Sequence, residues 1–288
     1  TTGPTRPMRE RGRLRAFRLA YDGRPFHGFQ RQPAVPTVED RVFDALDALG
    51  VFDRADCDRP AGYAAAGRTD AGVSATAQTV AVACPEWCTP RALNGELPAD
   101  VRAWASAPAP EGFHATHDAT RRTYVYHLHA PDLDDDRAAD AAAILRGEHD
   151  FHNLTTDDVG TVRDLSIDVD RDGTVLRIRV AADGFPRHLV RRVASVVRAG
   201  GAGDRPLGWV RGLLDAAPLD GPEGVPTAAP EPLLLTAVSY PDLSFERDPE
   251  AAASAAAVFG DRRRDAQVRA RVTDRLASVG DQPSSDGS

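Results

Sequence analysis

At 288 residues and 42% hydrophobic content, the chain is long enough to bury a substantial core, as one large domain or as two of roughly 100 to 150 residues each. No uncharged apolar run approaches the ~18 residues of a membrane span and the start lacks a signal peptide's apolar core, which predicts a soluble, cytoplasmic protein with no membrane partner. Three cysteines, Cys57, Cys84 and Cys88, form no CxxC pair, so neither a disulfide framework nor a zinc site is expected.

The formal net charge is −8 and every one of the 35 basic residues is arginine, a bias that fits a GC-rich, salt-adapted source. The charge is unevenly spread. Residues 1–24 carry seven arginines against two acids and residues 187–211 six against one, whereas residues 132–158 carry nine acids against two arginines. Basic stripes on an acidic body are able to dock a phosphate backbone.

Residues 1–13 are polar and Pro/Gly-rich and read as a flexible arm, with Met8 a candidate native start. Order begins near Leu14, where Phe17, Leu19 and Tyr21 alternate as in a half-buried strand that Asp22-Gly23 breaks. Thr37 with Asp40 resembles a capping box. Val38, Val42, Phe43, Leu46 and Leu49 then fall at helical spacing, with Gly50 as the C-terminal stop. Residues 74–83 read as a strand leaving the loop Gly67-Arg68-Thr69-Asp70-Ala71-Gly72-Val73.

In the second half Tyr124, Tyr126 and Leu128 line one face of a strand. Ile167 and Val169 face Leu176, Ile178 and Val180 across an Asp172-Gly173 turn, which predicts a hairpin. A helix is expected at 187–199, ended by Gly200-Gly201, followed by a Pro-rich loop at 217–232 and a last strand at Leu233–Tyr240. The expected organisation is α+β: an N-terminal half at 14–105 carrying the Asp70 loop, a C-terminal half at 106–245, a cleft between them, and a helical, partly disordered Ala/Arg extension at 246–288.

Spacing alone leaves Asp70 open between two roles. An Asp beside Gly often only hydrogen-bonds its own loop, yet Arg68 two residues away favours the ionised form, which suits a nucleophile or ion-pair role better than a general acid. On the predicted helix Arg187, Arg191 and Arg198 fall within about 40° of one another at ~100° per residue, which is either one functional stripe or a solvated face. Arg191 lies beside apolar Val190 and Val193, at the core's margin, where an arginine wants a carboxylate. Tyr124 and Tyr126 suit the core, though a phenol in a cleft can stack on a base or relay a proton. Other motifs fail. Asp168 to Gly173 starts like a calcium loop, but Arg179 stands where a bidentate Glu is required. The pairs His114/His117, His127/His129 and His149/His152 lack a zinc pattern, and Gly200 to Gly203 follows a helix instead of opening one.

Together these segments resemble the TruA family of tRNA pseudouridine synthases, in the same order over most of residues 14–243. The resemblance is carried by Leu19 to Gly23, Phe26 to Pro33 with Thr37-Val38, Gly67 to Ala75 and Leu97 to Val101. It continues through Arg122 to Tyr126, Gly147 to Phe151, Gly184-Phe185 with Leu189 to Arg191, and Ala229 to Leu235. Phe29 stands where a Trp is usual, Ser74 where a His is common and Pro232 where a Gly often precedes the Leu. The extension after residue 246 lies outside the matched segments.

The resemblance implies two ferredoxin-like halves whose antiparallel sheets form a central RNA-binding cleft, a homodimer that spans the tRNA, and chemistry without cofactor or metal. It implies modification in the anticodon arm, at tRNA positions 38 to 40. Asp70 matches the essential aspartate, Arg191 the arginine that pairs with it, and Tyr124 the active-site tyrosine. Arg68 matches an arginine that engages RNA and moves the target nucleotide into the cleft; Thr69, Gln30, Arg31, Arg187 and Arg198 complete the candidate RNA contacts. Two rival functions use the same residues: an inactive tRNA-binding or folding protein, and a glycosidic hydrolase needing a second carboxylate that no spacing supplies.

Overall fold

The computed structural model describes residues 12–215, 217, 219 and 224–281; the expected N-terminal arm up to residue 11, part of the Pro-rich loop and the expected disordered end from residue 282 lie outside them. The first strand, β1 (Arg13–Tyr21), ends at Asp22 as its sequence predicts. Helix α1 (Val38–Ala48) opens on Thr37, whose hydroxyl oxygen accepts from the Asp40 amide at 3.2 Å, and Gly50 follows its end at φ +70°. A short β2 (Ala64–Ala65) leads through the Asp70 loop into β3 (Ser74–Cys84). Thr89 caps α2 (Pro90–Glu96), which uses proline where the missing N–H costs nothing, and β4 (Val101–Pro108) follows.

The second half starts with β5 (Arg121–His129) and α3 (Asp135–Ile144). The acidic run read in the sequence becomes this helix's start, with Asp134 as cap and Asp135 and Asp136 in the first turn, where the helix dipole favours negative charge. Next come β6 (Gly147–Asp150) and the predicted hairpin, β7 (Val162–Asp172) with β8 (Val175–Ala182), in which Ile167 opposes Val180 and Val169 opposes Ile178. After α4 (Leu189–Gly201) and α5 (Leu207–Gly212), β9 (Leu233–Ser239) is the expected last long strand. A two-residue β10 (Glu246–Arg247) and the 29-residue α6 (Pro249–Ala277) follow.

The strands form one mostly antiparallel sheet in the order β10-β4-β1-β3-β9-β5-β8-β7-β6, with β2 on β3. The fold is therefore α+β, and the two halves share the sheet. Their seam is the one parallel pairing described, β3 with β9, in which Ser74 faces Leu234 and Ala75 faces Leu235. One apolar core lies on each side of it. Phe17, Leu19, Phe43 and Leu46 belong to the first, Ile167, Ile178, Val193 and Val197 to the second, and Tyr124 packs against both.

Two sequence expectations change at α4. The helix begins at Leu189, because His188 before it takes a left-handed backbone (φ 64°), so Arg187 is not on the helix and the three-arginine stripe reduces to Arg191 and Arg198. Gly200 and Gly201 do not stop the helix either. They complete it where α3 approaches closely: a Cβ on Gly200 would sit 2.7 Å from that of Ala141, and one on Gly201 2.5 Å from Leu133 Cδ2. The turn glycine is Gly203, at φ +75°.

Candidate active site

Three residues separate Asp70 from the seam strand β3, so the topology puts its loop where the halves meet. The loop is tied down from several sides. The Phe29 amide donates to the Thr69 carbonyl at 3.0 Å, Gln78 Nε2 to the Gly67 carbonyl at 2.9 Å, and the Gly72 amide to the Phe26 carbonyl at 3.3 Å. Gly72 adopts φ +82° with Pro230 Cγ 3.0 Å from where a Cβ would be, so both backbone conformation and space call for glycine. Buried Arg122 adds a charged clamp: its guanidinium donates to the Ala66 carbonyl at 2.7 and 3.0 Å, to that of Thr116 at 2.6 Å, and to that of Asp183.

The second half supplies the charge partner. Arg191, in the first turn of α4, places Nη1 2.9 Å from Asp70 Oδ2 and donates through Nε to the Ala228 carbonyl at 2.6 Å. The arginine side chain is 14% exposed and the aspartate 32%, so the pair is partly withdrawn from water while Asp70 still opens into the cavity. Two hydrogen bonds fix the guanidinium, which in turn orients one carboxylate oxygen. His188 Nε2 approaches the same Oδ2 at 3.7 Å.

The pair lines a cavity of about 1300 Å³ that also contains Tyr124, Phe185, Arg68, Gln30 and Arg187. This exceeds the roughly 300–1,000 Å³ of small-molecule pockets and suits a polymer segment. The Tyr124 ring meets Phe185 edge-on, with centroids 5.4 Å apart. Burial, with the Asp70 charge adding to it against the opposing effect of Arg122, pushes the Tyr124 phenol up to about 12, so it is neutral at physiological pH.

The structure divides the remaining candidates. Arg68 is exposed in the cavity, where no carboxylate pairs with it among the described residues, and Gln30 and Arg187 also face it; Arg187 lies 3.8 Å from Asp157. Thr69 is 6% exposed, and its hydroxyl is 2.8 Å from that of Tyr21, so its side chain holds the loop instead of presenting a donor to RNA. Arg31 lies outside the cavity. Its amide donates to Glu39 at 2.8 Å and its guanidinium pairs with Asp40 at 3.4 Å and donates to the Asp58 carbonyl, which makes it a fold contact. Arg198, seven residues beyond Arg191 and so about 10 Å along the helix, is exposed and does not line the cavity.

His188, Arg163 and the His114–His117 pair, with ring centroids 4.2 Å apart, line the cavity without having been read as site residues. The histidine spacing was visible in the sequence, but only the fold turns it toward the cleft. Nothing local marks His188, because its aim at Asp70 follows from a backbone conformation unusual for a non-glycine residue. Among the described residues no group of three or more His, Cys, Asp or Glu could hold a metal ion. No described helix is long and apolar enough to cross a membrane.

The tRNA pseudouridine synthase A of Haloarcula marismortui is 55% identical over 272 residues, spanning 91% of this chain and 98% of that protein. The chain belongs to the tRNA pseudouridine synthase family. The enzyme of the same name from Natronomonas pharaonis is 55% identical over 92% of this chain and 99% of its own length, and that of Methanothrix thermoacetophila 42% over 81% and 85%. The family model described as tRNA pseudouridine synthase matches residues 141–241, the segment that contributes Arg191 and the seam strand β9. The haloarchaeal relatives also fit the arginine-only, acidic composition.

Proposed function

We propose that the protein isomerises uridine to pseudouridine in the anticodon arm of tRNA, at positions 38 to 40, with Asp70 as the residue that acts on the nucleoside sugar. The reaction breaks the N1–C1′ bond, rotates the uracil, forms a C5–C1′ bond, and moves one proton's worth of hydrogen from C5 to N1. Composition does not change, so no external oxidant, reductant or group donor is needed. The supporting observation is the Asp70–Arg191 pair, whose arginine aims the carboxylate in a cleft large enough for an extruded nucleotide.

Two routes fit an ionised, oriented Asp70. Either it attacks C1′ as a nucleophile and is later displaced by C5, or it assists cleavage through an ene-sugar intermediate. Tyr124 and Phe185 present ring surfaces beside the carboxylate, suited to stacking on the flipped uracil. A phenol held up to about 12 keeps its proton at pH 7 and is a poor resident base. Tyr124 is therefore assigned stacking and hydrogen bonding, and takes the C5 proton only in a step that passes its own proton on. Arg68, Gln30 and Arg187 grip the RNA backbone at the cleft mouth, and Arg122 holds the loop. A homodimer spanning the tRNA and a cytoplasmic location belong to the same reading and rest on the family alone.

The test is to incubate an unmodified tRNA transcript with the protein and map pseudouridine by carbodiimide labelling and primer extension. Stops at one or more of positions 38 to 40 are expected; an unmodified transcript, or release of free uracil, would remove the reading.

A further inference from the structure

Helix α6 lies beyond the segments that carry the family resemblance, and its two ends behave differently. Its first half is anchored: β10 pairs with β4, Ala251, Ala252 and Ala255 are buried, and Arg262 donates to Asp22 at 2.7 Å and pairs with Asp100. Beyond that anchor, residues 263–277 are exposed at every position. Fifteen residues at 1.5 Å each give a free helical arm of about 22 Å. Its direction follows from the anchor. Asp22 follows β1 and Asp100 precedes β4, and the end of β1 pairs with the start of β3, Tyr21 opposite Ala75, so the arm leaves the body at the sheet end that carries the Asp70 loop.

The arm's charge opposes that of the body. Residues 263–277 hold five arginines against two aspartates in a chain of net charge −8. The guanidiniums of Arg263, Arg269, Arg271 and Arg275 have no carboxylate partner among the described residues, and Arg269 shares a small groove with Arg24 and Arg262. Val268, Val272, Leu276 and Val279 are also exposed along one side. Four aliphatic side chains fall well short of the ~800 Å² per partner that a stable protein interface buries, so they do not by themselves call for a second copy. Unpaired arginines spread along and around an exposed helix match the spaced, bidentate acceptors of a phosphate backbone.

We propose that the outer half of α6 is a second RNA-contact surface, an arm that binds the phosphate backbone of the substrate tRNA outside the catalytic cleft. The proposal rests on the tRNA-isomerase reading. The arm adds affinity and register, and takes no part in the chemistry.

The experiment compares the full-length protein with the combined variant Arg263→Gln, Arg269→Gln, Arg271→Gln, Arg275→Gln, and with the matching set of Arg→Lys changes. Gln and Lys have similar helix propensities, so the two sets separate charge from helix content. Dissociation constants for tRNA transcript are measured over a salt series, with turnover at saturating tRNA alongside. The Gln set is expected to bind about tenfold or more weakly at low salt, with a log–log salt slope shallower by about 3 for four lost phosphate contacts, and with saturated turnover unchanged. The Lys set is expected to recover most of the affinity. Unchanged affinity and slope in the Gln set overturn the proposal. So does a change of oligomeric state by light scattering with tRNA affinity unmoved, which would give the face to a second copy. A wild type that binds tRNA but leaves every uridine intact counts instead against the isomerase reading, because the binding measurement does not depend on turnover.

Discussion

Arg191 Nη1 and Asp70 Oδ2 meet at 2.9 Å across the seam between β3 and β9, although the residues are 121 positions apart in the chain. The contact couples the two halves of the sheet inside the cleft. Removing the arginine leaves a partly withdrawn carboxylate without its fixed donor and frees the Ala228 carbonyl as well. Arg191→Gln is expected to lower single-turnover rate on the order of 10²- to 10³-fold while changing tRNA affinity only a few-fold. Equal losses in binding and rate would mean that the arginine holds RNA and does not serve the aspartate.

The phenol of Tyr124 gives a prediction in pH. Because it is pushed up to about 12, its proton is retained throughout pH 7 to 10, so no alkaline limb from this residue should enter the rate profile there. Tyr124→Phe keeps the ring and is expected to bind tRNA normally with reduced turnover, whereas Tyr124→Ala should also lose affinity, by about 1–3 kcal/mol for a lost stacking partner. A wild-type alkaline limb near pH 9 that disappears in Tyr124→Phe would contradict this.

The interior of the fold shows what sequence reasoning reaches and where it stops. Period-two and helical spacing placed β1, α1 and the hairpin, because each has one buried face that the pattern of apolar residues reports, whereas α6 was legible from its Ala/Arg composition alone. Asp70, Tyr124, Arg68 and Gln30 were legible through motif resemblance, and all four line one cavity. Thr69 and Arg31 belong to the same motifs, yet the fold turns their side chains to Tyr21 and to Asp40. Motif membership records that a residue matters and not which way it points. The early start expected for α4 failed for a different reason: a single left-handed residue at His188 interrupts the helix, and no local composition signals it.

Thr69 accordingly predicts a stability effect. Its hydroxyl and that of Tyr21 satisfy each other in a buried setting, so Thr69→Val leaves the phenol without this partner and should cost about 1–3 kcal/mol. A thermal midpoint equal to wild type, with activity lost, would instead make Thr69 a direct RNA contact.

The anchor of α6 is sensitive to acid. Burial alone would raise the Asp22 carboxyl, but hydrogen bonds and charge from Arg24 and Arg262 outweigh it and hold the group below the usual carboxylate range. A depressed carboxyl stabilises the fold fully above the unfolded value near ~3.9, and this contribution is lost as pH falls through the lower folded value. Arg262→Gln should speed amide exchange in residues 251–262 at neutral pH by roughly fivefold, and shrink the extra loosening that wild type shows below about pH 4. Identical exchange in the two proteins at both pH values would contradict the anchor.

If Asp70 acts on the nucleoside sugar, every isomerisation depends on it, and loss of hydrogen from C5 reports each completed one. Transcript carrying [5-³H]uridine, incubated with wild type and with Asp70→Asn, measures it most directly. Tritium release by wild type without free uracil is expected, and release at background from Asp70→Asn, which still binds the transcript. Tritium release by Asp70→Asn at a rate near wild type would contradict it.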